Sequence, residues 1–370
     1  TLNPPYLDVI LGMERYYVEE PWSPINATIK RPEGFVVYEE VDWKPCTEFR
    51  GESAGRYAAY LLEKKGVDHF TAISRVQSLL KRKVNYAGIK DANAVTYQIV
   101  YVDTSGKEPE IKEWEGNGLR LKFLGFIKGK YNHTGNVFEI TLDISDEYTD
   151  ELRRRVARVT DLGRLPAFIG YQRFGTRRPT THVVGKMLVL REWCNAVDFI
   201  LGRPFPTEGE QAREFRTLYD QGKYEEALEK IPKKFYQERA VLKALLRTGN
   251  CFTALKASRI PLSFYVEAFQ SYLFNRCLSE AMKEEGEFLE VPARFEASSG
   301  VCRDVMVSEG VHDLNVKELN IKIGTLKRKK FMEVRSLKIK DKTLTFALDR
   351  GMYATVVLRE LLRSDPLLFT

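Results

Sequence analysis

Runs of strand-forming residues are frequent in the first part of the chain. Residues 35–38 follow a Pro-Glu-Gly turn signal and read Phe-Val-Val-Tyr, which predicts a strand. Further strands are predicted over residues 84–89, 97–102, 119–126 and 137–142. Because several of these strands follow one another without a helix between them, the order favours an α+β sheet domain over a doubly wound parallel one.

Apolar residues at helical spacing predict helices between the strands. One is predicted over residues 53–65, with Gly66 as its stop, and a second begins at the N-cap candidate Thr71 and ends at the basic residues 81–83. A third is predicted over residues 150–162.

The middle of the chain has a different character, because helical patterns dominate it. Helices are predicted over residues 182–201, 211–230 and 263–283. Beyond Pro292 the pattern returns to strands, with a last strand over residues 343–348 and a last helix over 354–362. A helix-rich segment between two strand-rich segments predicts that one domain is inserted into another.

Length and composition restrict the class of protein. The 370 residues suggest two or three domains, and 44% hydrophobic with 29% charged residues is typical of a globular chain. Apolar runs stay shorter than the ~18–20 residues that a membrane span needs. No basic stretch leads into an apolar one near Pro4-Pro5. We therefore expect no membrane protein and no export, and a cytoplasmic location.

The net charge, the cysteines and the histidines do not by themselves indicate a particular kind of site. The net charge of +7 is compatible with a polyanionic partner. Five scattered cysteines and four scattered histidines form neither a zinc motif nor a readable disulfide framework. We expect a reducing compartment and a protein without a metal ion.

The chemically suggestive segment is residues 86–98. It places Asp91 in a tight connection between two predicted strands, where loops on a rigid sheet often carry catalytic groups. The alternative is that Asp91 only caps a turn, as short acidic residues do.

Two other segments combine polar, aromatic and glycine residues. Residues 168–179 mix aromatics with Arg173, Arg177 and Arg178, which suits stacking on bases and pairing with phosphates, but an inter-domain linker with solvated arginines is equally compatible. Residues 130–138 contain Asn136 and Phe138 and could be an ordinary hairpin turn.

Taken together, these segments resemble the TruD family of tRNA pseudouridine synthases. Residues 88–98 are similar to the family element G-x-K-D-x-x-A-x-T-x-Q, and residues 170–175 to F-G-x-Q-R-F-G, with Ile169 where phenylalanine is common. Three more elements match in order: 135–138 (G-N-x-F), 268–275 (A-x-Q-S-x-L-F-N) and 351–361 (G-S-[FY]-A-T-x-V-x-R-E-L). The family's K-x-x-P-E-D-F element is one residue shorter here, which leaves the alignment of Lys30 open.

The resemblance implies a fold and a domain division. It implies an α+β protein in which a mixed-sheet catalytic domain, residues 1–166 plus 333–370, carries an inserted helix-rich α+β domain, residues 167–332. It also implies a monomer that acts on tRNA without a small-molecule cofactor or metal.

The resemblance further implies isomerisation of a tRNA uridine to pseudouridine, at position 13 by the family's name. Asp91 matches the nucleophile, and we expect Lys30 beside it as a cation. Phe138 matches the aromatic that packs on an extruded uracil, and Asn136 would orient the aspartate or the base edge. Gln172, Arg173, Arg177 and Arg178 are expected to contact RNA.

Two alternatives remain at this stage. An inactive RNA-binding protein could retain the fold, although a carboxylate facing a polyanion would then have no use. A glycoside hydrolase normally needs two carboxylates about 5–10 Å apart, and no second acid accompanies Asp91 in its motif.

Overall fold

A computed structural model describes residues 3–370 of the chain. The strands are β1 Phe35–Val41, β2 Lys44–Pro45, β3 Tyr57–Lys65, β4 Asn85–Tyr86, β5 Val95–Asp103, β6 Glu113–Gly116, β7 Leu119–Ile127, β8 His133–Thr141, β9 Arg164–Pro166, β10 Phe288–Val291, β11 Leu326–Lys329, β12 Phe331–Glu333, β13 Arg335–Lys340 and β14 Thr343–Asp349. The helices are α1 Tyr6–Ile10, α2 His69–Leu80, α3 Thr149–Leu162, α4 Thr181–Val189, α5 Trp193–Leu201, α6 Glu210–Asp220, α7 Tyr224–Lys230, α8 Tyr236–Thr248, α9 Cys251–Lys256, α10 Leu262–Ala281, α11 Gly300–Ser308 and α12 Ala354–Leu362.

One large mixed sheet organises the strand-rich parts of the chain. Its strand order is β13-β14-β8-β1-β5-β3-β7-β6, with β2 beside β1 and β4 beside β5. Strands β1 and β5 run parallel, whereas β8 and β14 pair antiparallel on one side and β3 and β7 on the other. The last strands of the chain thus complete a sheet that its first strands begin. The expected α+β fold is confirmed.

Directly paired residues share one face of this sheet and define two apolar regions on it. Val37, Phe138 and Phe346 are register partners on one side and belong to the core that continues into the helix-rich part. Tyr60 and Val100 are partners on the other side and pack against α2. The reverse face carries a smaller cluster that includes Ile99.

The predicted helix over residues 53–65 is wrong, because this segment forms β3. The apolar residues Tyr57, Ala58, Leu61 and Leu62 fit helical spacing, but β3 lies between β5 and β7 and buries residues on both faces. A continuous apolar run is compatible with either element, and here the neighbouring strands decide it.

The helix-rich part is more broken than the sequence pattern predicts. The expected helix over residues 182–201 is α4 and α5, interrupted near Arg191, which has φ of 58°. The expected helix over 211–230 is α6 and α7, separated at Gly222, where φ is 78°. Helices α8, α9 and α11 were not predicted, and α11 falls in a region expected to contain strands. No helix in residues 3–370 is long and apolar enough to cross a membrane.

The cysteines correct a second expectation. Cys194 is bonded to Cys251 and Cys277 to Cys302, while Cys46 is free and buried. The partners are 57 and 25 residues apart in sequence, so no local spacing indicates either pair. Both bonds join helices of the helix-rich part, and α5 is thereby fixed to α9.

A buried ionic cluster connects the two ends of the described chain. Asp8 accepts hydrogen bonds from Arg359 Nε at 2.8 Å and from the Tyr171 hydroxyl at 2.6 Å. The Asp8 and Arg359 side chains are each only 1% exposed. Glu360, the neighbour of Arg359 in α12, accepts from the backbone N–H of Val18 at 2.7 Å. Helix α12 and the first residues are therefore held together in the core with Tyr171.

A short ribbon connects the sheet with the helix-rich part. Strand β9 pairs antiparallel with β12, with Leu165 opposite Met332. The chain passes from the strand-rich to the helix-rich part along β9 and returns along β12, so both crossings lie side by side.

Replacing Arg359 by Met should lower the free energy of unfolding by about 3–5 kcal/mol, because the Asp8 carboxylate is then buried without its cation. The double variant Asp8→Asn/Arg359→Met should recover part of this loss, since no unpaired charge remains. Urea unfolding of the three proteins measures both effects. Equal stability of the single and double variants would contradict the ion-pair explanation.

Candidate active site

Asp91 lies in the loop between β4 and β5, at the start of the central strand β5. Its Oδ1 accepts a hydrogen bond from the backbone N–H of Asn93 at 3.0 Å, as in an Asx turn. The side chain is 24% exposed, so the carboxylate also faces outward. Asp91 therefore caps a turn with one carboxylate oxygen and at the same time presents its carboxylate to the outside.

The other oxygen of Asp91 meets two side chains from distant parts of the sequence. Arg31 Nη1 lies 3.5 Å from Oδ2, and Gln172 Nε2 donates to the same oxygen at 3.1 Å. The Arg31 guanidinium also donates to the Asn93 carbonyl at 3.0 Å, so it spans the loop. Burial lowers the pKa of Arg31, and the Asp91 charge opposes that decrease. A cation and an amide donor thus surround an accessible carboxylate.

A cavity of about 190 Å³ opens in front of this group. Its wall includes Arg31, Asp91, Gln172, Arg177 and Thr355, which come from both the strand-rich and the helix-rich parts. The carboxylate therefore points into a cleft between these parts and not into a closed core.

The structure corrects the expectation for Lys30. Its ammonium lies 3.8 Å from Asp143 and its side chain is 84% exposed, so it points away from Asp91. Arg31, the next residue, supplies the cation instead. The element preceding β1 is one residue shorter than the family's, and the basic residue beside Asp91 in this structure is Arg31.

Phe138 and Asn136 lie on one face of β8, as alternation along a strand requires. Phe138 is buried, packs edge-on against Phe35 and stacks on Phe346 with ring centroids 5.5 Å apart. The Arg31 guanidinium lies over the Phe35 ring at 4.2 Å. The cation beside Asp91 is therefore in contact with the aromatic cluster that includes Phe138.

A strip of buried polar side chains crosses the same sheet face beneath the Asp91 loop. Lys64, Thr96 and Gln98 belong to it, and register places Glu39 and Asn136 in line with them. Lys64 Nζ donates to the Asp91 carbonyl at 2.5 Å and thereby holds the loop from below. Burial lowers the pKa of Lys64 from 10.5 to about 8. The strip separates the two apolar regions and supports the loop.

Comparison with known proteins identifies the family of this chain. The family model for tRNA pseudouridine synthase D (TruD) matches residues 10–294. Proteins named "Probable tRNA pseudouridine synthase D" from Sulfurisphaera tokodaii and Saccharolobus solfataricus are 48% identical over 367 residues and 46% identical over 380 residues. These alignments cover 98% and 100% of this chain, and 100% of each relative. The chain belongs to the TruD family.

A solved structure agrees with this fold. The crystal structure of the TruD protein from Methanosarcina mazei superimposes with a TM-score of 0.76 at 23% identity and covers 99% of this chain and 100% of its own. Membership of the TruD family makes the chain a tRNA pseudouridine synthase, an isomerase, as the sequence elements imply.

Two arginines expected to contact RNA have protein partners. Arg178 donates to Glu208 at 2.8 Å and to the carbonyls of Phe199, Gly202 and Arg203. Its guanidinium therefore supports the α5–α6 connection, and this corrects the expectation that it is available for phosphate.

Arg173 is also occupied by protein groups. Its guanidinium lies over the Phe264 ring at 4.9 Å and 3.7 Å from Glu267. Gln172, within this TruD element, and Arg177, two residues beyond it, are exposed and line the cavity. A run of basic residues cannot indicate which of its members face solvent.

Sequence reasoning missed Arg31, Lys64, Lys90 and Glu39 as members of the site. The Lys90 side chain is directed into the interior of the sheet and is 4% exposed. A signal was available for Lys90, because it lies within the G-x-K-D element. Glu39 and Lys64 read as ordinary polar positions of strands, and only the register brings them under the loop.

The lowered pKa of Lys64 predicts a pH effect on stability. Between pH 8 and 10.5 the unfolded chain binds a proton at Lys64 that the folded chain lacks, so stability from this residue should rise with pH. The free energy of unfolding of the wild type minus that of Lys64→Met should increase over this window, by at most about 1.4 kcal/mol per pH unit. Denaturant unfolding at pH 7, 8, 9 and 10 measures it, and a flat difference would refute the lowered pKa.

Proposed function

We propose that this TruD-family isomerase converts one tRNA uridine, at position 13, to pseudouridine with Asp91 as its nucleophile. In this reaction the N-glycosidic bond breaks, the uracil turns, and a C–C bond forms to the same sugar, so atoms balance without a redox partner. The observation that carries the proposal is the Asp91 carboxylate, which faces the cavity beside Arg31 and Gln172.

The surroundings of Asp91 suit a nucleophile. A carboxylate attacks as an anion, and the Arg31 guanidinium places a positive charge 3.5 Å from one of its oxygens. The Asn93 N–H donates to the carboxylate and Lys64 donates to the Asp91 carbonyl, so the carboxylate position is fixed before substrate binds. Both attack on the sugar and attack on the base are compatible with this arrangement.

The target uridine must leave its stack to reach Asp91. Extrusion costs a few kcal/mol, which stacking and edge hydrogen bonds in the pocket can offset. Phe138 is proposed as the stacking ring and Asn136 as a donor to the base. Both lie on the sheet face beneath the loop, and the rings of Phe35 and Phe346 support Phe138.

Contacts to the rest of the RNA are proposed for the cavity rim. Arg177 is exposed on the helix-rich side and can pair with phosphate, which would make binding salt-dependent. We propose that this side is the inserted domain, residues 167–332, and that residues 1–166 plus 333–370 form the catalytic domain. The monomeric state, the absence of a cofactor and the cytoplasmic location remain parts of this proposal.

Asp91→Asn should abolish pseudouridine formation in transcribed tRNA while RNA affinity stays close to that of the wild type, because the amide retains the shape but not the nucleophile. Pseudouridine mapping and filter binding measure the two quantities. Asp161→Asn, an exposed aspartate of α3, serves as the matched control and should be fully active. Normal turnover by Asp91→Asn would refute the mechanism. A wild type that binds tRNA without modifying it would support the inactive RNA-binding alternative.

Phe138→Leu should slow the reaction by about 5- to 150-fold, because stacking on a base contributes about 1–3 kcal/mol. Leucine keeps most of the buried volume, so the fold should survive. The same substitution at Phe126, buried at the far side of the sheet, controls for loss of core packing. Single-turnover rates of the two variants measure the difference, and equal rates would assign the stacking role elsewhere.

A further inference from the structure

A buried pair of charges lies directly behind Asn136. Lys90 Nζ donates to Asn136 Oδ1 at 2.9 Å and lies 3.3 Å from Glu39 Oε2. The Lys90 and Glu39 side chains are 4% and 0% exposed. Neither charge can therefore be a solvated surface group, and each depends on the other for compensation.

Glu39 is fixed independently of Lys90. Its Oε1 accepts from the backbone N–H of Ile99 at 3.1 Å and from the Tyr131 hydroxyl at 2.5 Å. Burial raises the pKa of Tyr131, and the Glu39 charge acts in the same direction. Because β1 and β5 hold Glu39 rigidly, it provides a fixed anchor for the ammonium of Lys90.

The ammonium determines how the Asn136 amide is oriented. A lysine ammonium only donates hydrogen bonds, so the amide must turn its oxygen toward Lys90. The NH₂ group then points the other way, and no acceptor within residues 3–370 takes a hydrogen bond from it. Asn136 Nδ2 is also not among the fully buried unpaired atoms of this part of the chain, so it remains accessible.

Lys90 does not act on the nucleophile directly. The Asp91 carboxylate has Arg31, Gln172 and Asn93 as its partners. Glu39 instead balances the Lys90 charge, and the Lys90 ammonium donates to the Asn136 amide oxygen.

We propose that Lys90 and Glu39 are positioning residues that hold Asn136 with its NH₂ group toward the cleft, where it donates to a carbonyl oxygen of the extruded uracil. This inference rests on the proposed function and deepens it, because it names the residues that distinguish uracil from other bases. A base that presents an NH₂ group at the same place, as cytosine does at C4, would meet two donors facing each other. The buried Lys90–Glu39 pair thus contributes to recognition of uracil by orienting the Asn136 amide.

Lys90→Met tests the inference, because it keeps the length of the side chain and removes the donor. We expect kcat to fall by about 10²-fold, as for a misplaced reacting group, with RNA affinity unchanged. Since Glu39 is then unpaired and the fold could suffer, the double variant Glu39→Gln/Lys90→Met is made in parallel. It should regain stability and remain slow. Lys330→Met removes another buried lysine far from the cavity and should retain the wild-type kcat.

A second measurement separates orientation from mere stability. Transcripts carrying 2-thiouridine or 4-thiouridine at the target position replace one carbonyl by sulfur, a weaker acceptor. The wild type should lose rate on one of them, whereas Asn136→Ala and Lys90→Met should treat that transcript and the uridine transcript alike. Wild-type kcat in Lys90→Met, or an equal thio effect in the wild type and Asn136→Ala, would overturn the inference. A wild type without activity on any transcript would instead refute the proposed function on which it rests.

Discussion

The contact between Asp8 and Arg359 connects parts of the chain that the active site needs at fixed positions. Asp8 belongs to the first helix and Arg359 to the last, and the Tyr171 hydroxyl shares the same carboxylate. Tyr171 immediately precedes Gln172, which reaches Asp91 across the cleft. The position of the Gln172 contact with the Asp91 loop therefore depends on an ion pair in the core. The presence of Arg359 and Glu360 in a family sequence element has its physical reason here.

The large sheet replaces apolar by polar side chains beneath the Asp91 loop. Its face is hydrophobic around Phe138 and again around Tyr60, and between them runs the buried polar strip from Lys64 to Asn136. A polar strip inside a protein is costly unless its groups bond to one another. Here Lys64 and Gln98 donate to carbonyls of the Asp91 loop, and Lys90 donates to Asn136. The polar groups therefore hold the loop and the amide in fixed positions.

The sequence predicted the elements whose local signals agree with their surroundings. Strand β1 after its turn and helix α12 at its bounds are examples, as is Asp91 in a connection between strands. Residues 53–65 failed because apolar positions at helical spacing also suit a central strand that is buried on both faces. Arg31 was missed because a shortened element shifted the cation by one residue. Glu39 and Lys64 could not be found, since only the pairing of β1, β5, β3 and β8 brings them together.

The ribbon of β9 and β12 restricts how the cleft can open. Because both crossings are hydrogen-bonded to each other, the proposed inserted domain cannot rotate freely about a single connection. Buried contacts add to this restraint, because the Tyr171 hydroxyl donates to Asp8 and the Asn275 amide donates to the Leu11 carbonyl. The strand-rich and helix-rich parts also share one hydrophobic core. A nucleic acid therefore meets a cleft whose two walls are joined both by the ribbon and by the packing behind it.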